Sequence, residues 1–516
     1  METKKIAPQF DDLINPTIIL KHVEEIKIKN EATPHAEILQ QLIEQFEPLD
    51  FQLLAFPQAK KLREQLKKAE IGSEQAKDIQ KQLDKLKLNL KHYLVLSIEN
   101  ALTYAEKNRW GLCKNHDFIY LYNGMFWNEI DKEIFQKFLG EAAEQMSVPK
   151  FDARFYQFRE QLFKQFLATA YLPTPESNNN TVLINLLNGT FEVSPKGTVL
   201  KPFDSEDFIT YQLPFEYNPK ATAPIFEAYL NKVLPDKERQ RVLAEYLGFV
   251  FIKHGSNALK EEKALILYGT GANGKSVFFE IVNALLGTDN VSSYSLQSLT
   301  NDNGYFRAKL ANKLVNYASE INGNLEASIF KQLVSGEPVE ARLPYGQPFN
   351  LKQYAKLIFN CNELPKDVEH TNAYFRRFLI IPFDVTIPPQ EQDKNLHTKI
   401  IENELSGVFN WVLEGLNRLL EQKKFSDCGA AQKAVEQYKI ESDSVQMFLN
   451  EHEYIVSLTD VTPLKELYSE YKNYCIESGF KTCSLRTLAD RLRNSGFQTE
   501  RKNYGIVVNA QKKIVF

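Results

Sequence analysis

Residues 265–280 read LILYGTGANGKSVFFE. Within them, Gly269-Thr270-Gly271-Ala272-Asn273-Gly274-Lys275-Ser276 completes the pattern GxxxxGK[ST]. An apolar run, ALILY, precedes it, and SVFFEIVNALLG, which opens with Val277 after the serine, follows. Strand, glycine turn and helix in that order constrain the chain more than any other feature. The glycines let backbone N–H groups turn inward onto phosphate oxygens, and the helix N-terminus adds partial positive charge. The stretch is therefore expected to cradle the phosphates of ATP. Lys275 should reach the β- and γ-phosphates and Ser276 should hold Mg²⁺.

A cradle alone hydrolyses nothing; a neighbouring strand must bring a carboxylate to the metal and the water. KLVNYASEINGN at 313–324 supplies one, with Glu320 at the C-terminal end of a short strand, where open α/β sheets place their ligands. Glu320 is expected to polarise the attacking water and to meet Mg²⁺ through water. A further strand, AKLIFNCNELP, ends in Asn362, which can hydrogen-bond the γ-phosphate or the water. AYFRRFLIIPF then carries Arg376 and Arg377 just ahead of another strand. A guanidinium against a γ-phosphate stabilises charge that spreads in the transition state. Arg377 is the first choice for that role, acting from the next subunit of a ring, and Arg376 the second.

The rest of the chain bounds what such a site can serve. At 516 residues about two to four domains are expected. Net charge is −4, so nucleic-acid contact must come from local patches. The five cysteines lie far apart with no CxxC pair, which argues against a zinc ribbon and a disulfide framework and fits a reducing cytoplasm. No run of about 18 apolar residues predicts a membrane span, and the N-terminus has no apolar signal core. Residues 1–110 are expected to be helical, with an amphipathic hairpin broken near Ile71-Gly72; a coiled-coil arm for self-association is the alternative reading. Residues 111–255 are read as a helical domain with small hairpins at Asn123-Gly124 and Asn188-Gly189. Residues 256–395 form the nucleotide-binding α/β unit, set apart by VTIPPQEQ at 385–392 from a helical lid or connector at 396–440.

Residues 441–516 carry a second signal. SLRTLADRLRNSG, with Ser484 as N-cap and Gly496 past its end, is an amphipathic helix, and a short two-stranded wing follows. This is a winged helix-turn-helix pattern. From 481 to 516 eight bases face two acids, a net +6, so phosphate contact with duplex DNA is expected, led by Arg486, Arg491 and Arg493.

Cradle, single-Glu strand, LVSGEPVEARLPYGQPFNLKQYAKLIFNCNELP and FRRFLIIPF follow one another within about 110 residues. This succession resembles superfamily 3 helicases, specifically the poxvirus-type and satellite-phage-type primase-helicase group of phages, plasmids and mobile elements. The resemblance implies an α/β fold: an AAA+-like P-loop core, mostly helical N-terminal domains and the winged helix-turn-helix at the C-terminus. It implies a homo-hexameric ring with ATP between subunits and single-stranded DNA in the pore. ARLPYGQPF would be a pore hairpin, with Arg342, Tyr345 and Lys352 as DNA contacts. The chain departs from the group in showing no polymerase-like constellation ahead of the motor, so a separate primase is the implied partner. The function expected is ATP-dependent unwinding of DNA in mobile-element replication. The alternative is a DNA-binding ATPase switch without unwinding, in origin binding or defence. A small-molecule kinase would lack the hairpin and the C-terminal domain.

Overall fold

The computed structural model describes residues 35–115, 118–170, 180–194, 197–319, 321, 325–344, 346–365 and 368–513. Two compact units divide the chain, Met1–Gln212 and Leu213–Phe516.

In the first unit, helices His35–Gln45, Leu90–Lys107, Lys132–Gln145 and Tyr156–Thr169 enclose a core that includes Leu42, Ile98, Phe135, Leu162 and Phe166. Between the first two of these lies a helical hairpin, Gln58–Lys68 and Glu74–Lys85, closed by its own narrow seam of Ala59, Ile79 and Leu83. Gly72 turns the chain at φ 88°, and the Ser73 hydroxyl caps the second helix by accepting from Ala76 N–H. Two antiparallel meanders follow the expected turns. In the first, the Asn123 side chain accepts from the N–H groups of Met125 and Phe126 between strands Phe118–Tyr122 and Trp127–Glu129. In the second, Val182–Leu186 pairs with Gly189–Ser194, which pairs with Gly197–Lys201.

The second unit opens with α1 (Pro224–Val233) and α2 (Lys237–Phe249). The strands β1 (Ala264–Tyr268), β2 (Val291–Ser292), β3 (Val315–Ala318), β4 (Lys356–Cys361) and β5 (Phe378–Pro382) form a parallel sheet in the order β5-β1-β4-β3-β2. A parallel sheet is covered on both faces, so its strands read as unbroken apolar runs. Ala264 to Leu267 are indeed wholly buried. Helix α3 (Lys275–Leu286) follows β1, and α4 (Ala327–Ser335) follows β3. A hairpin, Val339–Arg342 with Pro348–Leu351, leads into β4.

Two long helices complete the unit's centre, α5 (Leu396–Gln422) and α6 (Gly429–Ser442). Helices α1 and α2 belong with them, so the boundary expected at 255 falls instead at Gln212. The reason is a pair of buried carboxylates. Glu245 of α2 accepts from Arg418 Nε (2.6 Å) and Ser426 N–H (2.8 Å). Glu404 of α5 accepts from the N–H groups of Ile225 and Phe226, both at 2.9 Å, so it caps α1 from another helix. After α6 come α7 (Leu464–Ser478), α8 (Leu485–Asn494) and an antiparallel pair, Thr499–Lys502 with Gly505–Val508, round a core that includes Leu467, Tyr471, Leu488 and Leu492. Among the described residues no helix is long and apolar enough to cross a membrane.

Candidate nucleotide site

The sheet order fixes where a ligand can sit. The connection leaving β1 passes β4 and β3 to reach β2, whereas that leaving β4 passes back across β1 to β5. Connections that part in opposite directions leave a crevice at the C-terminal ends of β1 and β4. A cavity of about 630 Å³ lies there, lined by Gly271 to Val277, by Ser319, Asn360 and Asn362, and by α1.

The turn between β1 and α3 is built from positive φ values: Gly271 at 115°, Ala272 at 50° and Gly274 at 87°. Gly274 is also required sterically, since a Cβ there would stand 2.7 Å from Val233 Cγ1. The Asn273 side chain ties the turn down by donating to Phe383 O (3.1 Å), and Tyr229 OH of α1 donates to Gly274 O (2.8 Å). Gly269 lies beneath the turn, buried, and Thr270 is exposed beside it. Ser276 and Val277 open α3 at the cavity.

Lys275 is 6% exposed. Its ammonium donates to Gly269 O (2.5 Å) and to Asn362 Oδ1 (3.2 Å). Neither partner carries a charge, and burial lowers the lysine's pKa. A buried cation held only by neutral acceptors is costly unless an anion completes it. The donor set therefore fits a phosphate chain.

The structure gathers only part of the expected constellation at this cavity. Asn362 is in it, as is Ser319, the residue before Glu320. Glu320 and Tyr345 lie outside the described residues. Arg376 and Arg377 stand apart from the cavity lining, at the end of the short helix Asn372–Phe375. Arg377 is 7% exposed, and its guanidinium donates to Ser335 Oγ (2.8 Å) and Ala373 O and pairs with Glu262 (3.3 Å). Those bonds commit Arg377 inside its own subunit. Arg376, with its side chain 63% exposed, is the arginine at the surface, against Glu262 at 3.0 Å.

Arg342 is exposed on the hairpin and donates to Gly346 O (3.0 Å); Lys352 is exposed just past it. On α8, Arg486 is exposed, Arg491 pairs with Asp443 (3.3 Å) and Arg493 pairs with Asp490. Asp443 is also the N-cap of helix Ser444–Glu451, so Arg491 packs the C-terminal elements together.

Two features escaped the sequence reading. Asn360 lines the cavity and accepts from Tyr317 OH (2.9 Å). Its signal was its place near the end of β4, two residues before Asn362. The stretch 385–392, expected only to separate units, folds back over the turn. Ile387 N–H donates to Ala272 O (2.8 Å), and Ile387, Glu391 and Gln392 line the cavity.

Comparison with known proteins places three family descriptions along the chain. Residues 90–235 match D5 N terminal like, residues 440–516 match Poxvirus D5 protein-like, and residues 267–377 match a family of unknown function (DUF5906). The "Putative helicase L207/L206" of Acanthamoeba polyphaga mimivirus is 26% identical over 240 residues, which are 44% of this chain and 24% of that protein. The chain thus aligns with about a quarter of that relative's length. Among solved structures, the A form apo structure of the NrS-1 C terminal region is 14% identical, with a TM-score of 0.45, over 81% of this chain and 99% of that one. A second apo structure of the same region gives 14% and 0.44. With D5-type stretches matched on both sides of the cradle and a putative helicase aligned with part of the chain, the chain is similar to the D5-like helicases.

Proposed function

We propose that this chain is an ATP-dependent DNA helicase that acts as a homo-hexameric ring in the replication of a phage, plasmid or other mobile element. The observation that carries the reading is the buried Lys275 ammonium, held by two neutral oxygens at the mouth of the cavity. In this reading the unit around β1–β5 is an AAA+-like P-loop core, and α7, α8 and the pair after them form a winged helix-turn-helix. The turn 269–276 holds the triphosphate, with N–H groups and Lys275 directed at the β- and γ-oxygens. Ser276 is the residue placed to hold Mg²⁺, which would neutralise part of the charge shared by the β- and γ-phosphates. Asn362, already bonded to Lys275, orients the γ-phosphate or the water, and Asn360, fixed by Tyr317, stands behind it. Glu320, which follows Ser319 in the sequence, activates the water.

The test is ATP turnover with and without single-stranded DNA, beside a strand-displacement assay. Turnover that DNA stimulates, with no displacement of an annealed strand, would leave an ATPase switch instead of a helicase. Glu320→Gln is expected to keep ATP binding and to lose turnover by about 10²–10⁴-fold, the usual worth of a general base. A variant that hydrolyses at the unaltered rate removes Glu320 from the site.

Arg376 is the arginine we assign to the neighbouring subunit's nucleotide. Arg376→Ala and Lys275→Ala subunits, each inactive alone, are expected to regain turnover on mixing, because some interfaces then hold both groups. Failure to regain it in rings shown to be mixed would rule out action across the interface.

A further inference from the structure

Strand β4 carries an amide where its neighbours are apolar. β1 reads ALILY and β5 reads FLIIP, whereas β4 reads KLIFNC, with Asn360 only 8% exposed near its end. A buried polar group is costly unless it is hydrogen-bonded. The sheet holds a second buried amide for comparison. Asn316 of β3 spends both ends inside the fold: its Oδ1 accepts from Ser292 Oγ (3.0 Å) and Tyr294 N–H (2.9 Å), and its Nδ2 donates to Tyr294 O (2.8 Å). Asn360 differs. Its Oδ1 accepts from Tyr317 OH (2.9 Å), and the residue lines the nucleotide cavity. With the carbonyl taken, Nδ2 and its two protons are the end left for a ligand.

The register shows which part of a nucleotide this end would meet. Phe359 stands opposite Ala318, so Asn360 is level with Ser319, which also lines the cavity and which Glu320 follows in the sequence. Tyr317 lies two residues before Ser319, with its ring edge-on to Phe279 of α3 at 4.8 Å, so this is the face that the cradle helix covers. Asn362 is engaged differently, since its Oδ1 accepts from the Lys275 ammonium. One asparagine is thus tied to the phosphate-binding lysine. The other stands beside the strand that leads to Glu320.

We infer that Asn360 is a further catalytic residue, donating from Nδ2 to the water that attacks the γ-phosphate, with Tyr317 as the positioning residue that fixes the amide. The inference rests on the proposed hydrolysis of ATP at this cavity and takes nothing from DNA. The attacking water has two lone pairs. One forms the new bond to phosphorus, and the other accepts the N–H of Asn360. A proton passes to Glu320, and the electron pair of the broken bond leaves with ADP. A neutral donor suits this place. A second carboxylate would repel the phosphate chain and compete with Glu320 for the proton, and a cation would draw Glu320 away from the water.

The experiment compares the full chain with Asn360→Ala, Asn360→Asp and Tyr317→Phe. Turnover, affinity for a fluorescent ATP analogue, affinity for ADP, and trapping of ADP by aluminium fluoride are measured. Aluminium fluoride stands in for the phosphoryl group with the water in line, so it reports the transition state. Asn360→Ala is expected to lower turnover about 10²-fold, the cost of a misplaced reactant, and to lose the trapped state while both nucleotide affinities stay unaltered. Tyr317→Phe keeps the ring against Phe279 and frees the amide. It should lower kcat by less, with KM unchanged. Should Asn360→Ala not fold, Asn360→Asp carries the same test: it can still accept from Tyr317 OH but has no N–H to give, so its kcat should fall as far. Unaltered turnover and trapping in the Asn360 variants overturn the inference and leave the proposed function standing. Equal loss of ATP and ADP affinity makes Asn360 a support of the cradle and overturns it too. An unaltered chain that neither binds nor hydrolyses ATP overturns both.

Discussion

Lys275→Ala is expected to abolish ATP turnover, with a fall of at least about 10²–10³-fold, the loss that follows removal of a single preorganised donor from a reacting charge. The geometry explains why the two groups bonded to it cannot substitute. The ammonium reaches the cavity between Gly269 O and Asn362 Oδ1, and both of those are acceptors. Removing it leaves two oxygens turned toward phosphate oxygens, so attraction is replaced by repulsion. Nucleotide affinity should fall along with turnover, in contrast to Glu320→Gln. Titration with a fluorescent ATP analogue separates the two variants. If Lys275→Ala keeps normal affinity and turnover, the triphosphate lies elsewhere.

Lys356→Met is expected to stabilise the protein, most strongly below neutral pH. Lys356 begins β4, at the end of the sheet away from the cradle. It is 7% exposed, with its ammonium 3.1 Å from His254 Nδ1 and 4.2 Å from the centre of the Phe249 ring. Burial pushes this lysine down from 10.5 to about 7. His254 is lowered too, first by burial and then by the charge of Lys356. The sign follows from proton counting. Between about 7 and 10.5 the unfolded chain holds a proton that the folded chain has released, so stability rises with pH across that window. Below about 7 both states are protonated, and the folded state bears the whole cost of the buried charge. That interval corresponds to at most about 4–5 kcal/mol. Replacing a buried ion with an apolar side chain of similar length commonly recovers about 1–4 kcal/mol. Urea unfolding at pH 6.5 and 9.5 checks the expectation: the gain in Lys356→Met should be larger at the lower pH. A variant less stable than the parent at both would mean that the ammonium is well paired.

What could be read from the sequence was whatever local chemistry demands. A phosphate cradle needs glycines at fixed offsets and a lysine at the helix start, so it is visible in eight residues. The strands β1, β4 and β5 are visible because both faces of the sheet are covered and no polar alternation interrupts them. The hairpin turns at Asn123 and Gly189 announce themselves through residues that tolerate positive φ or cap their own backbone. Long-range pairing was not visible. Nothing near Glu245 or Glu404 says that their partners lie more than 170 residues away, yet those bonds decide that α1 and α2 belong with the nucleotide unit. The choice between Arg376 and Arg377 depends on which faces Ser335 in α4, a fact of packing that two adjacent arginines cannot reveal. The prolines at 388 and 389 suggested a spacer, and only the tertiary bond from Ile387 to Ala272 shows that the segment closes the site. On α8 amphipathicity was legible, while the bond from Arg491 to Asp443 was not.

The cap that Glu404 places on α1 makes the cavity's two lips unequal. Helix α1 supplies Ile225, Ala228 and Tyr229 to one lip. To swing outward it would strip two N–H groups from a buried carboxylate and break the bond from Tyr229 to Gly274. That lip is a fixed jaw that moves only with α5. The other lip, around Ile387 to Lys394, is fastened to the turn by Ile387 N–H and to α1 by a surface pair between Lys232 and Glu391 at 2.9 Å. Exposed pairs of that kind hold weakly. On the proposed function, entry of nucleotide and escape of product would fall to this second lip, a hinged jaw whose opening breaks few bonds.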